Sequence, residues 1–315
     1  MNDPAVATKP RFVGETAAIG FMTVVVWLAG FTGISYLLFP ELAALTHEVL
    51  QRPNGKWASQ PWKLVVTPTC TAVAGTLIGN WRPYGVFTVT LAVCAAIAVI
   101  RVLRSPVAPA ISAGVLPIVL GVTSWRYPVC VLGTLCGLTL MLLAWKRMPI
   151  SRLLLGAGPT SGTLPANQSV WVGSVLCFVV AIGFVAQATG LRFILFPPLI
   201  VMAYEMLGNP ETCPWANKLV TFPLVSTVSA AVGIWAIRSL QSPTLAAAVV
   251  LVLVSIILRL TKLRLPPAFA IGLIPFVMRA PSELYPVSVA AGTCSLSVWF
   301  FSHQWLFSKR PSNGS

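Results

Sequence analysis

Apolar residues run along this chain in long, nearly uninterrupted segments that are separated by short polar turns. Eight of these segments have close to the roughly 20 residues that a helix needs to cross a hydrocarbon core. They lie at 17–38, 64–81, 84–103, 127–145, 169–189, 217–237, 243–261 and 285–307. One cleaved signal sequence cannot account for eight such runs. The pattern therefore predicts an all-α, polytopic transmembrane helical bundle.

Four shorter apolar segments are led by proline, and two of them fall in each half of the chain. They lie at 40–50, 107–121, 197–207 and 266–278. Proline suits the first turn of a helix, because its missing N–H would be unbonded there. Segments of about ten to fifteen residues are too short to span a membrane alone. We therefore predict half-helices, entered from extended stretches such as Ile34–Phe39 and Phe193–Phe196.

The two halves of the chain carry the same residues at corresponding positions. The correspondences join Pro40 with Pro197, Glu48 with Glu205, Pro109 with Pro267, Ala110 with Ala268, Gly114 with Gly272 and Tyr127 with Tyr285, at offsets of 157 or 158 residues. Chance produces matches of proline, glycine and glutamate in one register far less often than matches of leucine with valine. We predict a duplicated unit, 1–147 and 168–315, joined by a linker at 148–167 that is rich in Pro, Gly, Ser and Thr.

The positions of Lys and Arg distinguish two topologies, because these residues favour the cytoplasmic side. If the short segments dip in and return, nine of the 21 lie inside and twelve outside. If each short segment crosses together with its extended arm, sixteen lie inside and five outside. Six crossings per half, with both termini cytoplasmic, are therefore preferred. The basic residues hold matching places in both halves, which predicts parallel repeats related by an axis along the membrane normal.

The composition supports a membrane protein and excludes several functions. The chain is 57% hydrophobic and 9% charged, whereas a soluble domain is about a quarter charged. Its net charge of +14 lies in short loops beside apolar segments, so topology rather than nucleic-acid binding explains most of it. The two histidines and seven cysteines form no metal, cofactor or catalytic motif, and an enzyme is not expected.

Two short motifs resemble the HPP family of integral membrane proteins. Ala58–Pro61 reads ASQP and is similar to an AQP-containing turn of that family. Leu265–Ala270 reads LPPAFA, and Ser105–Ala110, more loosely, reads SPVAPA; both resemble the family's His-Pro-Pro-Ala-Gly-Ala signature. Neither copy carries the signature histidine or the glycine after the alanine. The resemblance covers both halves and implies two HPP-like units in tandem and a membrane transporter, with nitrite transport reported for plastid members.

The starts of the half-helices are the predicted substrate path. A helix N-terminus carries about half a positive charge and unpaired N–H groups, which can hold an anion near the membrane midplane. The residues concerned are Pro40, Pro109, Ala110, Pro197, Pro198, Pro266, Pro267 and Ala268. The alternative is that these prolines only kink ordinary spans.

Glu48 and Glu205 are a matched acidic pair at the far ends of the first half-helix of each half. A carboxylate within a membrane is often a proton relay or a cation ligand. Solvation, or a salt bridge to Lys63 or Lys218, is an equal alternative.

Arg104 and Lys262 are a matched basic pair that precedes the second half-helix of each half. They could draw anions toward a cytoplasmic mouth. Attachment to anionic lipid explains the same positions.

These features predict a transporter or channel for a small solute, first a small inorganic anion such as nitrite. We expect it in the plasma (inner) membrane, surrounded by lipid, with no cofactor, no metal and no nucleic-acid partner. The positive balance favours an anion over a cation. The alternative function is a non-transporting membrane scaffold or assembly factor, which predicts a dry interface between the repeats.

Overall fold

The structure, a computed structural model, describes residues 4–149 and 168–308, with side chains at 12–149 and 171–306. Twelve α-helices and no strand occur in these ranges. The helices are α1 (Pro4–Thr32), α2 (Glu41–Gln51), α3 (Pro61–Trp81), α4 (Val86–Val102), α5 (Ala110–Leu120), α6 (Arg126–Arg147), α7 (Gln168–Thr189), α8 (Pro197–Gly208), α9 (Thr221–Ser239), α10 (Pro243–Leu260), α11 (Pro267–Leu273) and α12 (Tyr285–Ser308). The predicted linker lies outside the described residues except for 148 and 149.

Five helices in the described ranges are long and apolar enough to cross a membrane. They are residues 12–32 of α1, and α6, α7, α9 and α10. The other three predicted spans correspond to α3 and α12, which carry several Ser and Thr residues, and to α4, which has 17 residues. Large apolar side chains face outward at mid-helix, including Leu140 and Phe184, which are 68% and 61% exposed. Such a surface suits lipid rather than water, so this is a helical membrane protein.

The chain before each first short helix differs from the prediction. The first span, predicted at 17–38, ends at Thr32, because Gly33 takes a φ of 69° and stops the helix in the left-handed conformation. Gly190, with a φ of 71°, follows α7 in the same way. The predicted extended stretches are wrong: 3-10 turns occur at Ser35–Leu37 and Arg192–Leu195. After each glycine a 3-10 turn, rather than an extended arm, leads to the short helix.

The four short helices α2, α5, α8 and α11 form the centre of the molecule. Nearly every residue of α5, α8 and α11 is buried. Helix α2 packs on α11, α5 packs on α8, and α8 packs on α11. The short helices of the first half therefore lie against those of the second half, while α1 contacts α10 and α4 contacts α7 around them.

Each half repeats the same helix contacts. Helix α3 packs on α4, α5 and α6, and α9 packs on α10, α11 and α12. In both halves the second short helix approaches its long neighbour backbone to backbone. A Cβ atom added at Gly75 would lie 1.8 Å from the carbonyl oxygen of Gly114, and one added at Gly233 would lie 2.2 Å from that of Gly272. Only glycine permits this approach, which fixes α5 against α3 and α11 against α9.

Candidate functional site

The predicted half-helix starts all lie buried in the core. Pro40 and Pro109 immediately precede α2 and α5, Pro197 and Pro198 form the first turn of α8, and Pro266 and Pro267 cap and open α11. Ala110 and Ala268 are fully buried at the starts of α5 and α11. Each of these prolines therefore stands at a helix start rather than inside a span. The four short helices pack in series, with α2 on α11, α11 on α8 and α8 on α5.

A carboxylate that the sequence comparison missed, Glu41, lies between the starts of α2 and α5. It is 2% exposed, and neither of its oxygens has a hydrogen-bond partner among the described residues. The hydroxyl of Ser112, itself fully buried and without a partner there, lies close to this carboxylate but outside hydrogen-bond geometry. The phenols of Tyr127 and Tyr285 interact electrostatically with this carboxylate.

Both tyrosines direct their hydroxyl protons away from Glu41. Tyr127 donates to the carbonyl oxygen of Ala113 at 2.9 Å, and Tyr285 donates to that of Ile271 at 2.8 Å. Since Glu41 has no basic partner among the described residues, an ionised carboxylate there would be desolvated and without a counter-charge, which is costly. The surroundings therefore suit a carboxylic acid that keeps its proton.

Polar side chains on one face of α3 lead from the helix start toward this carboxylate. They are Lys63, Thr67 and Thr71, which are spaced by four residues and buried. Their hydrogen bonds run from Lys63 to the carbonyl oxygen of Arg104 at 2.8 Å, from Thr67 to the hydroxyl of Ser105 at 2.8 Å, and from Thr71 to the carbonyl oxygen of Ala110 at 2.6 Å. This series ends two residues before Ser112, beside Glu41.

The matched glutamates join the two halves of the molecule. Glu48 is ion-paired with Arg264, and Glu205 with Lys56 at 2.5 Å. The carboxylate oxygens are well buried, while the two cations are about a third exposed. The predicted salt bridges to Lys63 or Lys218 are wrong, because these lysines are engaged with backbone carbonyls at the ends of α4 and α10.

Arg104 and Lys262 lie just after α4 and α10, where their backbone carbonyls rather than their side chains make the hydrogen bonds described here. Both adopt the left-handed conformation, with φ values of 46° and 49°. Their carbonyl oxygens accept hydrogen bonds of 2.8 Å from Lys63 and Lys218 respectively. Their side chains are exposed. We call the surface that carries Lys56, Lys63, Arg104, Lys218, Lys262 and Arg264 the basic face.

The other ends of α3 and α5 lie at the surface away from the basic face, here called the opposite face. There Arg192 donates to the carbonyl oxygen of Val119 and stacks over the ring of Tyr84, 4.6 Å from its centroid. Arg82 and Arg192 line an open cavity of about 350 Å³. A smaller cavity of about 40 Å³ lies beside Tyr127, and Val122 lines both.

Glu41 escaped prediction because acidic residues were sought as matched pairs. Its counterpart in the second half is Pro198, at the offset of 157 residues that relates Pro40 to Pro197. The available signal was a carboxylate placed directly after a helix-start proline within an apolar run. Such a charge at membrane depth is a functional-site hypothesis in its own right.

Within the described residues, no group of three or more His, Cys, Asp or Glu side chains could hold a metal ion. Comparison of the chain with models of protein families, with curated proteins and with solved structures finds no match.

Proposed function

We propose that the protein is a membrane transporter for a small inorganic anion, with nitrite as the first candidate. The observation that carries this proposal is the cavity of about 350 Å³ on the opposite face, which Arg82 and Arg192 line. One guanidinium comes from each half, so the cavity lies at the junction of the halves. Two guanidinium groups in one cleft attract and orient a small anion. The resemblance to the HPP family remains a prediction that agrees with this role.

In the proposed topology two parallel repeats each cross the membrane six times. Glu15 of α1 is paired with Arg259 at the end of α10. Glu48 of α2 is paired with Arg264, which follows Arg259 by five residues. The indole of Trp145, at the end of α6, donates to the carbonyl oxygen of Leu50 at 3.1 Å. These contacts support a path in which α1 leaves the basic face and α2 returns to it.

The second short helix supports the same topology. The chain leaves α4 at the basic face, where Lys63 binds Arg104, and α5 ends near Arg192 at the opposite face. The second half follows the same order, since Lys218 binds Lys262. The basic face is the cytoplasmic one in this proposal, because Lys and Arg favour that side. We place the protein in the plasma (inner) membrane.

Uptake into proteoliposomes tests the proposed substrate. We expect saturable nitrite uptake above that of empty liposomes, and at least a several-fold loss in Arg82→Gln, which removes one guanidinium from the cavity. Arg126→Gln is the matched control, because Arg126 is exposed and does not line the cavity. Flux equal to that of empty liposomes for nitrite, nitrate and chloride would contradict an anion transporter.

A non-transporting scaffold is the second candidate function. The observation that favours it is the backbone contact of Gly75 with Gly114 and of Gly233 with Gly272, which leaves no space between short and long helices. A scaffold predicts that folded protein shows no flux for any tested anion and co-purifies with a partner in fixed stoichiometry. A transporter predicts flux from the purified chain alone.

A further inference from the structure

We propose that Glu41 is the proton-carrying group of the transport cycle, a single carboxyl that takes up H⁺ from one face and releases it to the other. This inference rests on the proposed transport function and names its coupling ion. The step is a simple protonation: the carboxylate accepts a proton from water on one side, and the carboxylic acid returns it to water on the other.

Glu41 lies without a counter-charge among the described residues. It is 2% exposed and has no ion-pair partner among the described residues, and the hydroxyl of Ser112 is the polar side chain beside it. The other buried or half-buried glutamates among the described residues have basic partners: Arg259 for Glu15, Arg264 for Glu48 and Lys56 for Glu205. A carboxyl kept without a counter-charge suits a group that alternates between protonated and ionised forms as the halves move.

Four buried polar residues at and around the carboxyl have apolar counterparts in the second half, whereas Thr71 corresponds to another buried hydroxyl, Ser229. The residues at and around the carboxyl are Glu41, Thr67, Ser105 and Ser112, all buried. Their counterparts in the second half are Pro198, Val225, Leu263 and Ala270, at the offsets that relate the other matched residues. The backbone contacts Gly75–Gly114 and Gly233–Gly272 show that α3 and α5 correspond to α9 and α11 in this register. The apolar residues of the second half show that helix packing does not require polar side chains at these positions. We therefore attribute the polar side chains of the first half to function.

Polar groups reach toward Glu41 from the basic face, and a small cavity lies on the side of the opposite face. From the basic face come the hydrogen-bonded pair of Thr67 with Ser105 and then the buried hydroxyl of Ser112. From the opposite face comes the cavity of about 40 Å³ beside Tyr127, which has room for one or a few water molecules. Val122 lines both that cavity and the one lined by the two arginines.

A proton fits this site better than a metal cation. A hard cation such as Ca²⁺ requires about six or more oxygen ligands, and the described residues hold no cluster of three ligating side chains. The titratable groups near Glu41 are the phenols of Tyr127 on α6 and Tyr285 on α12. Helices α5 and α11 carry none, and the only one among the described side chains of α1, Glu15, is paired with Arg259.

The experiment measures nitrite uptake and internal pH in proteoliposomes under an imposed proton gradient, with empty liposomes subtracted for permeation of nitrous acid. We expect the gradient to stimulate uptake by the native protein and protons to enter with nitrite. Glu41→Gln keeps the shape of the side chain but cannot ionise, so the stimulation and the proton entry should fall at least tenfold. Glu283→Gln, an exposed carboxyl on the opposite face, is the control that should keep both.

Infrared spectroscopy of the native protein gives a second reading that does not depend on transport. A carbonyl band of a protonated carboxylic acid should be present near neutral pH and should be missing in Glu41→Gln, with equal melting temperatures showing that the variant folds. Absence of that band in the native protein would overturn the proton site. Nitrite uptake that ignores the gradient, or a Glu41→Gln variant coupled like the native protein, would also overturn it. No flux at all would refute the transporter and leave the infrared result to decide the carboxyl.

Discussion

The ammonium of Lys56 lies 2.5 Å from the carboxylate of Glu205, and the two residues belong to different halves of the chain. Glu48 and Arg264 form the reciprocal connection. The two glutamates occupy matched positions, yet their cations do not, because Lys56 lies before α3 and Arg264 lies after α10. Each half thus supplies one acid and one base, and the basic face is tied together across the junction.

Loss of one partner from this pair should destabilise the protein. In Lys56→Met the carboxylate of Glu205, which is 8% exposed, loses its counter-charge. We expect a cost of about 1–3 kcal/mol in the free energy of unfolding, measured by denaturation in detergent. Glu283→Gln breaks the exposed pair with Arg238 and should cost under about 1 kcal/mol. Equal losses in the two variants would show that burial of Glu205 does not decide the effect.

Gly75→Ala should destabilise the packing of α3 against α5. Its Cβ would lie 1.8 Å from a backbone carbonyl oxygen of Gly114, so whole helices would have to move apart. Overpacking of this kind costs about 1–3 kcal/mol or more, and a fall in the melting temperature would report it. Gly133→Ala is the control: nothing lies within 4 Å of its added Cβ, and alanine favours a helix over glycine by about 0.5–1 kcal/mol. A melting temperature unchanged in Gly75→Ala would contradict the contact.

Cysteine labelling should distinguish six crossings per half from four. Ser59→Cys and Thr123→Cys are placed one at a time in a background that lacks the seven native cysteines, at exposed positions. With six crossings, a membrane-impermeant maleimide labels Thr123→Cys on intact cells and reaches Ser59→Cys only after permeabilisation. With four crossings, both positions face outside and both label on intact cells.

Cys213, in the loop between α8 and α9, should react slowly in the folded protein. It is 4% exposed, and burial, with a smaller effect of nearby Glu205, raises the pKa of its thiol to about 12. Because the thiolate is the nucleophile, the maleimide rate at pH 8 should be at least about a hundredfold below that of Ser59→Cys in detergent. Above pH 9 the rate at Cys213 should still rise with pH while that of Ser59→Cys levels off. Equal rates at pH 8 would show that the loop opens in solution.

The sequence was sufficient to locate most of the helices, since their two strongest signals are local. Long apolar runs bounded by polar turns predicted α6, α7 and α10 to within about two residues at either end. A proline followed by a short apolar run predicted the starts of the four short helices. Proline acts on its own backbone, so its position can be read without knowledge of the neighbours.

The partners of charged side chains could not be predicted in the same way. Arg264 is 216 residues from Glu48 along the chain, and only the packing of one half on the other brings them together. Lys63 is closer to Glu48 in the sequence, but its ammonium donates to the carbonyl oxygen of Arg104 instead. The left-handed conformation of Arg104 cannot be predicted from a pattern of apolar residues. Glu41 was not predicted for a related reason. It has no acidic counterpart in the second half, so a comparison of the two halves does not select it.

The contact of Gly75 with Gly114, and its counterpart in the second half, also limits how the molecule can change shape. A helix seated on the backbone of its neighbour can neither rotate nor slide without colliding, so α3 with α5, and α9 with α11, move as solid blocks. The contacts of α1 with α10 and of α4 with α7 join the halves without a glycine contact of this kind, so we expect any motion between the halves at these two surfaces. In the proposed transport cycle, the contacts of α2 on α11 and of α5 on α8 are the axis about which we expect the two halves to turn, with Glu41 on α2 at that axis.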